Sequence, residues 1–136
     1  MVKLSVRYTG DLHCVATHGP SSSEIATDAP ADNKGRGELF SPTDLVATAL
    51  ASCMATTAAI AMQDHGVDLS GLTVTIEKHM STDTPRRIIG LPSEVHIPLP
   101  PETPQRALIE VAIRGCPVHN SLSAVIDRTT KIFWDR

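Results

Sequence analysis

Two of the three cysteines lie where local sequence signals give each one a defined backbone position. Cys53 stands in an uncharged, Ala-rich helical segment, and Cys116 opens a Cys-Pro-Val-His stretch directly after a second helical segment. A redox site with two thiols needs one sulfur that attacks and a second that can reach it to close a disulfide. The pair therefore makes thiol redox chemistry the first hypothesis, although only the fold can bring such distant positions together.

Each cysteine also has a simpler interpretation. A single buried cysteine on a helix most often serves packing, because free cysteine behaves as a small apolar side chain. Cys116 precedes Pro117 and is predicted to be the N-cap of a short helix, where free backbone N–H groups stabilise a thiolate. Its simpler interpretation is a turn residue. The two cysteines together favour chemistry over packing.

A metal site is a further alternative. Cys116 and His119 have the C-x-x-H spacing of half a zinc site, and His13, Cys14 and His18 are the candidates for the other half. Zinc usually takes paired, closely spaced ligands, and the second half fits that pattern poorly. We therefore expect no metal and no other cofactor, and a metal-binding protein remains the least favoured alternative.

Composition limits the class of protein. A chain of 136 residues predicts a single domain over residues 1–136, large enough to bury a core without staples. Three cysteines and the lack of a signal-peptide pattern favour free thiols in a reducing, cytoplasmic setting. A net charge of -3 with mixed signs and few aromatic residues argues against nucleic acid.

The segment 45–63 has the length of a membrane span but not its composition. Seven of its nineteen residues are Ala and five are Ser, Thr or Gln, its hydropathy looks weak, and it has no basic or aromatic flank. We expect a buried, closely packed helix and no membrane partner.

Hydrophobic periodicity and turn signals predict an α+β fold in the order β-β-β-α-β-β-α-β, with mostly antiparallel sheet. Between the third strand and the long helix, residues 28–38 form a loop rich in Pro, Gly and Asp, of the kind that carries function or contacts a partner. The predicted strands are 3–8, 12–17, 24–27, 72–80, 87–99 and 130–134, and the predicted helices are 42–65, 106–114 and a short one from Pro117.

The long helix has no polar face. Ser41 and Pro42 are predicted as its N-cap and first helical residue, with Asp44 in the first turn, and Gly66 as its stop. The face of Cys53 and the opposite face are both apolar or small. A helix of this kind must be covered on all sides, which two copies of the chain achieve by packing their central helices together. We therefore expect a homodimer.

These segments also resemble a known family. Residues 40–54 (FSPTDLVATALASCM) and 116–122 (CPVHNSL), with 65–69 (HGVDL), 77–78 (EK) and 85–88 (PRRI) between them, are similar to the OsmC/Ohr family of osmotically induced and organic hydroperoxide resistance proteins. The resemblance covers nearly the whole chain and is closest to the general OsmC-like branch.

The resemblance implies both an assembly and an activity. Members of this family form intertwined homodimers with two long helices at the centre and reduce organic hydroperoxides through thiols at the interface. By position, Cys53 corresponds to the peroxide-attacking thiol and Cys116 to the resolving one, and a dithiol reductant such as a lipoyl group reopens the disulfide. The alternative is a redox-sensing or apolar-ligand-binding module of the same fold without turnover.

The chain departs from the family pattern at two positions. A family Glu ten positions before the attacking Cys is Thr43 here, and an early-strand Arg that lowers the thiol pKa has His13 near its place. Asp44 points about 180° away from Cys53 on a helix, so it acts across a dimer or only as a helix-terminus charge. Arg36 is the other candidate cation. Without a nearby cation, we expect a raised pKa for Cys53 and low catalytic efficiency.

Overall fold

The computed structural model describes residues 1–135. The chain divides into two compact units, Met1–Val46 and Ala47–Arg136, and the boundary falls inside helix α1, Pro42–Met62. The interpretation of residues 1–136 as one domain stays a prediction.

The first unit contains a three-stranded antiparallel sheet of β1 (Leu4–Gly10), β2 (His13–His18) and β3 (Glu24–Asp28), with β2 in the middle. The register places His13 opposite Asp28 across β2 and β3. A tight turn joins β1 to β2, with positive φ angles of 50° and 63° at Asp11 and Leu12. The predicted strands 3–8 and 12–17 therefore form an antiparallel hairpin.

The alternating apolar residues of β1 share one face, as the sequence indicates. Within the single chain this face is not covered, since Leu4, Val6 and Tyr8 are 64%, 68% and 64% exposed. A contiguous row of large apolar side chains at a surface is a common mark of an interaction site.

The loop after β3 folds back onto its own beginning. It contains a turn of 3-10 helix at Ala31–Asn33, and Gly35 then lies against the carbonyl of Ala29. A Cβ atom at position 35 would stand 1.7 Å from that carbonyl oxygen, so only glycine fits there. The tight return brings Glu38 back to Asp28, whose side-chain Oδ2 accepts its backbone N–H at 3.1 Å.

Helix α1 begins and ends where the sequence predicts. The Ser41 hydroxyl accepts the backbone N–H of Asp44 at 3.1 Å, and the Asp44 carboxylate accepts the N–H of Ser41 at 2.8 Å. This reciprocal pair satisfies two donors that the first turn of a helix leaves free. A turn of 3-10 helix, Gln63–His65, follows α1 and ends at Gly66 with φ of 64°.

Within the second unit, α1 buries one stripe rather than its whole circumference. Leu50, Met54, Ala58 and Met62 are fully buried, at a spacing of four residues. Each such Leu or Met contributes about 1.5–3 kcal/mol through burial. Ile60 remains 59% exposed, so the single chain does not cover this helix on all sides.

The long helix is also more apolar than its composition suggested. The segment Pro42–His65 has a mean hydropathy of 1.8 in its most apolar window, of which 28% is buried. Its hydropathy is therefore not weak, and by length and composition alone it could cross a membrane. Core helices of soluble proteins pass the same test.

Five strands complete the second unit, where the sequence predicts three. The predicted strand 72–80 divides in two because its parts pair with different strands. Up to Glu77, whose N–H donates to the Pro92 carbonyl, it pairs with residues 92–96, and from His79 onward it pairs with residues 88–90. The predicted strand 87–99 divides at Leu91 and Pro92, between Gly90 and Ser93. The strands are β4 (Thr73–Ile76), β5 (His79–Met80), β6 (Ile88–Gly90), β7 (Ser93–Ile97) and β8 (Thr130–Trp134).

These strands form a sheet in the order β4-β7-β8 and a separate pair of β5 and β6. The β4–β7 and β5–β6 pairs are antiparallel, and β7 runs parallel to β8. Helices α2 (Arg106–Arg114) and α3 (Pro117–Ser121) lie between β7 and β8 in the chain. The indole of Trp134 donates to Glu110 at 3.1 Å and so ties β8 to α2. The predicted α+β class, mostly antiparallel, is confirmed.

Candidate functional site

The two motif cysteines meet in the second unit. Cys53 projects from α1, and Cys116 is the N-cap of α3 with φ of -63° and ψ of 152°. Their thiols lie close enough for each to shift the pKa of the other, and both cysteines are free. The fold therefore brings together the two thiols that the sequence singled out.

The two thiols differ in their access to solvent. Cys53 is half-buried, whereas Cys116 is fully buried, at 0% exposed. A small molecule arriving from solvent therefore reaches Cys53 first, and Cys116 lies behind it.

They also differ in acidity. Burial alone would raise the pKa of Cys53, but three neighbours outweigh it and hold the pKa below its ordinary value. These neighbours are the backbone N–H of Val118, the thiol of Cys116 and the hydroxyl of Thr57, whose oxygen is 3.8 Å from the sulfur. Hydrogen bonds to a thiolate favour the charged form. The expectation of a raised Cys53 pKa is wrong, because backbone and side-chain hydrogen-bond donors stabilise the thiolate without a nearby cation.

The pKa of Cys116 moves in the opposite direction. Burial raises it most, the backbone N–H of His119 lowers it, and the adjacent Cys53 raises it further, so the pKa lies above its ordinary value. The sequence suggested a stabilised thiolate at Cys116, the N-cap. The Val118 N–H of α3 favours the charged form of both thiols, but deeper burial keeps the pKa of Cys116 high, so the thiolate forms on the more exposed sulfur.

Helix α3 is held in place by bonds at both of its ends. The Cys116 sulfur accepts the N–H of His119 at 3.5 Å, and the Asn120 side chain donates to the Gly115 carbonyl at 2.9 Å. The Arg128 guanidinium donates to the His119 carbonyl. Among residues 1–135, the buried Nδ1 of His119 is one of two such side-chain atoms without a hydrogen-bond partner.

Sequence reasoning missed two contributors to this site. Val118 acts through its backbone, which no side-chain pattern reveals, and Arg128 lies outside both cysteine motifs. Thr57, in contrast, is one helical turn after Cys53, and its spacing already places it on the same face.

Three other residues suggested by the sequence belong to the first unit. Asp44 is engaged in capping α1 with Ser41. Arg36 is 68% exposed in its side chain, and its Nη1 lies 3.6 Å from the Glu38 carboxylate. Any role of Asp44, Arg36 or His13 toward the thiols stays a prediction.

His13 lies between two carboxylates rather than among thiols. Its Nδ1 is 2.6 Å from the Asp11 carbonyl oxygen, and its Nε2 is 3.3 Å from Glu38 Oε2 and 3.7 Å from Asp28 Oδ1. The Asp11 carbonyl, followed by the charges of Asp28 and Glu38, raises the pKa of His13. The sequence suggested His13 as a metal ligand together with Cys14, His18, Cys116 and His119. In the structure its neighbours are instead two carboxylates, Asp28 and Glu38, which the sequence did not indicate.

Comparison with known proteins identifies the class that this fold and site define. The family model described as OsmC-like protein matches residues 35–131. The chain belongs to the OsmC-like family, as the sequence resemblance indicates. No curated protein matches the chain significantly.

Solved structures share the fold over the whole chain. One from Psychrobacter arcticus 273-4, provisionally described as an osmotic stress induced and detoxification response protein, has a TM-score of 0.87 and 38% identity, covering 99% of this chain and 96% of its own. An organic hydroperoxide resistance protein OsmC from Legionella pneumophila has a TM-score of 0.77 and 16% identity, and the match covers 98% of this chain and 96% of that one. A Vibrio cholerae protein provisionally assigned to organic hydroperoxide resistance has captopril bound in one of its active sites. Its TM-score is 0.75 and its identity 20%, and the match covers 97% of this chain and 90% of that one.

Proposed function

We propose that this protein is a thiol-dependent peroxidase that reduces organic hydroperoxides and contributes to oxidative stress defence. One observation carries the proposal: a half-buried Cys53 with a lowered pKa lies beside a fully buried Cys116 with a raised pKa. Family membership and the hydroperoxide resistance descriptions of the Legionella and Vibrio proteins support it.

The reaction proceeds in two steps on the protein. The Cys53 thiolate attacks the outer oxygen of the hydroperoxide and the O–O bond breaks, so that Cys53 becomes a sulfenic acid. The departing alkoxide takes up a proton, equal to the one that Cys53 released on ionisation, and leaves as the alcohol. The Cys116 thiol then loses its proton and its sulfur attacks the Cys53 sulfur. The S–OH bond of the sulfenic acid breaks, and the hydroxide leaves with that proton as water. The resulting disulfide stores two electron equivalents of oxidation, and an external dithiol, of the lipoyl type, reduces it back to two thiols.

The positions of the two sulfurs support this division of roles. Cys53 has the lower pKa and the better access, the properties of an attacking thiol. Cys116 stays protonated and buried until a sulfenic acid forms beside it, where fast capture prevents over-oxidation. Asp44, Arg36 and His13 remain candidates for a supporting role, and no cofactor takes part.

We also propose a cytoplasmic homodimer. The apolar row on β1 and the uncovered side of α1, with Ile60 59% exposed, supply surface for a second copy. The free thiols suit a reducing compartment. The exposed apolar side chain of Ile60, two helical turns after Cys53 on α1, also favours hydroperoxides of fatty acids and similar molecules over hydrogen peroxide.

Steady-state turnover tests the proposal. We expect the purified protein to reduce cumene hydroperoxide faster than hydrogen peroxide when dihydrolipoamide is the reductant, and Cys53→Ser to abolish turnover. Cys14→Ser is the matched control and should stay within about twofold, or a few tenths of a kcal/mol.

The same assay separates the alternatives. A folded wild-type protein that consumes no hydroperoxide would contradict the peroxidase and leave a redox-sensing or apolar-ligand-binding module as the better account. Equal loss of activity in Cys14→Ser would show that the pair of cysteines has been assigned wrongly.

A further inference from the structure

The loop 28–38 closes a cluster of three metal-type ligands that the thiol chemistry does not use. One ligand comes from β2 (His13), one from the end of β3 (Asp28) and one from the far end of the loop (Glu38). One ligand atom from each residue can be chosen so that all three lie within 4.8 Å of one another. Among residues 1–135, this is the one such group.

Each of the three side chains uses its other polar atom to bind the protein. His13 Nδ1 donates to the Asp11 carbonyl at 2.6 Å, so Nε2 is the ring nitrogen directed at the two carboxylates. Asp28 Oδ2 accepts the backbone N–H of Arg36 at 3.2 Å and of Glu38 at 3.1 Å. Glu38 Oε1 lies 3.6 Å from the Arg36 guanidinium.

This is the arrangement that outer-sphere partners give to metal ligands. A ligating histidine usually donates its second N–H to a carbonyl, and a ligating carboxylate is hydrogen-bonded through its second oxygen. A simple ion pair of histidine with carboxylates does not require every second atom to be fixed in this way.

Asp28 supplies the independent observation. Its side chain is 0% exposed, and its Oδ1, 3.7 Å from His13 Nε2, has no hydrogen-bond partner. A buried carboxylate oxygen without a partner carries a free-energy penalty of about 1–3 kcal/mol or more. An ion at the centre of the cluster would satisfy this oxygen.

We propose that His13 Nε2, Asp28 Oδ1 and Glu38 Oε2 bind a divalent first-row transition-metal ion, with Zn²⁺ the best match. Imidazole together with carboxylate is a donor set that suits such ions better than Ca²⁺ or Mg²⁺. Two carboxylates also balance the charge of the ion. Tetrahedral zinc with bonds of about 2.0–2.2 Å holds its ligand atoms about 3.3 Å apart. The His13 Nε2 distances to the two carboxylate oxygens, 3.3 Å and 3.7 Å, are close to this value, and the carboxylate oxygens themselves, within 4.8 Å of each other, would move closer together on binding.

The ion would fasten both ends of the loop to the sheet. Asp28 and Glu38 flank the nine intervening residues, which include the trypsin targets Lys34 and Arg36. A metal bound at the base of the loop is therefore expected to restrict its opening and slow cleavage after these two residues.

The test must distinguish this cluster from the thiols, because thiolates also bind zinc. We use Co²⁺ as a spectroscopic probe on the full-length protein and Zn²⁺ in calorimetry after chelator treatment. Oxygen and nitrogen ligands give cobalt bands in the visible region without the intense near-ultraviolet charge-transfer band of thiolate ligation. We expect the first pattern, unchanged in Cys53→Ser.

Two variants and two matched controls locate the site. His13→Gln and Glu38→Gln should each weaken Zn²⁺ binding at least tenfold, since loss of even an outer-sphere partner reduces affinity by about 10–100-fold. His18→Gln and Glu24→Gln, on β2 and β3, should bind as the wild type does. Equal affinity in all four variants, no measurable binding, or a thiolate band that disappears in Cys53→Ser would overturn the proposal.

Trypsin digestion gives a second, independent readout. Zn²⁺ should slow cleavage after Lys34 and Arg36 at least fivefold in the wild type and in His18→Gln. Cleavage of Glu38→Gln in the same zinc concentration should not slow, which also controls for any effect of zinc on the protease. Unchanged cleavage of zinc-loaded wild-type protein would contradict the assignment of Asp28 and Glu38 as ligands.

Discussion

The division of roles between the two cysteines comes from their immediate neighbours. Cys53 receives a backbone N–H from Val118, the thiol proton of Cys116 and the hydroxyl of Thr57, and these together overcome the effect of burial on its pKa. Cys116 is fully buried beside this sulfur and keeps its proton. A lowered pKa increases the thiolate fraction near neutral pH, and the thiolate is the nucleophile.

The Thr57 hydroxyl provides a direct test of this balance. Thr57→Val removes a donor 3.8 Å from the Cys53 sulfur and so raises the pKa of Cys53. Because the thiolate becomes scarcer, alkylation of Cys53 by iodoacetamide at pH 7 should slow about two- to threefold, in line with a weak hydrogen bond. The pH midpoint of alkylation should move upward.

Thr56→Val is the matched control, since Thr56 is the exposed neighbour on the same helix. It should leave both the rate and the midpoint unchanged. An identical response of the two variants would mean that Thr57 does not stabilise the thiolate.

At the scale of elements, α1 and α3 set the site because each is fixed at a specific point. The buried stripe of α1 carries Met54, whose sulfur accepts the Ser93 hydroxyl of β7 at 3.9 Å. The Arg128 guanidinium holds the carbonyl of His119 in α3. Position and orientation of the Val118 N–H follow from these contacts.

Arg128 should therefore affect both stability and reactivity. Arg128→Met removes a charge-assisted bond, which lowers the free energy of unfolding by about 1.5–3 kcal/mol and loosens α3. Urea denaturation measures the first effect, and slower alkylation of Cys53 measures the second.

Lys131→Met is the control for removing a cation from the same part of the chain. Lys131 is 67% exposed and lies 3.8 Å from Glu94, so its loss should change the free energy of unfolding by less than about 1 kcal/mol. If Cys53 of Arg128→Met were alkylated as fast as Cys53 of the wild type, Arg128 would not position α3 for the thiol site.

Local signals in the sequence predict much of this fold. Ser41, Pro42 and Gly66 correctly mark the ends of α1 with its final turn, and Pro117 marks the start of α3. The two long predicted strands divide because strand partners depend on tertiary pairing and not on alternation. The change of partner after Glu77 has no local signal.

The site was predictable only as far as side-chain patterns reach. The two cysteine motifs and the helical spacing of Thr57 are visible in the sequence, whereas the Val118 N–H and the Arg128 contact depend on how α3 sits against its neighbours. The pairing of Asp28 with Glu38 depends on Gly35, whose close approach to Ala29 folds the loop back.

At the scale of the whole molecule, the single chain leaves apolar surface that a partner would cover. Val6 on β1 is 68% exposed, and Ile60 on α1 is 59% exposed. A soluble monomer rarely presents contiguous patches of this kind. A homodimer in which this surface is buried accounts for both features.

Assembly can be tested by placing a charge on the uncovered side of α1. The wild type should sediment as a dimer at micromolar concentration, and Ile60→Asp should shift it toward monomer by at least tenfold in dissociation constant, because a charge would be buried at the interface. Val125→Asp, at a residue 85% exposed, should leave the dimer intact. A wild type that sediments as a stable monomer would contradict the dimer.

The formation of a disulfide between Cys53 and Cys116 tests the central claim most directly. One equivalent of cumene hydroperoxide is added to the reduced protein, free thiols are alkylated, and the peptides are identified by mass spectrometry. The wild type should lose two thiols per chain, gain the 53–116 disulfide and keep Cys14 alkylated. Cys116→Ser should consume about one equivalent and stop as a trappable sulfenic acid at Cys53 or an over-oxidised form of it. A folded wild type in which both Cys53 and Cys116 remain free after peroxide treatment would contradict the account.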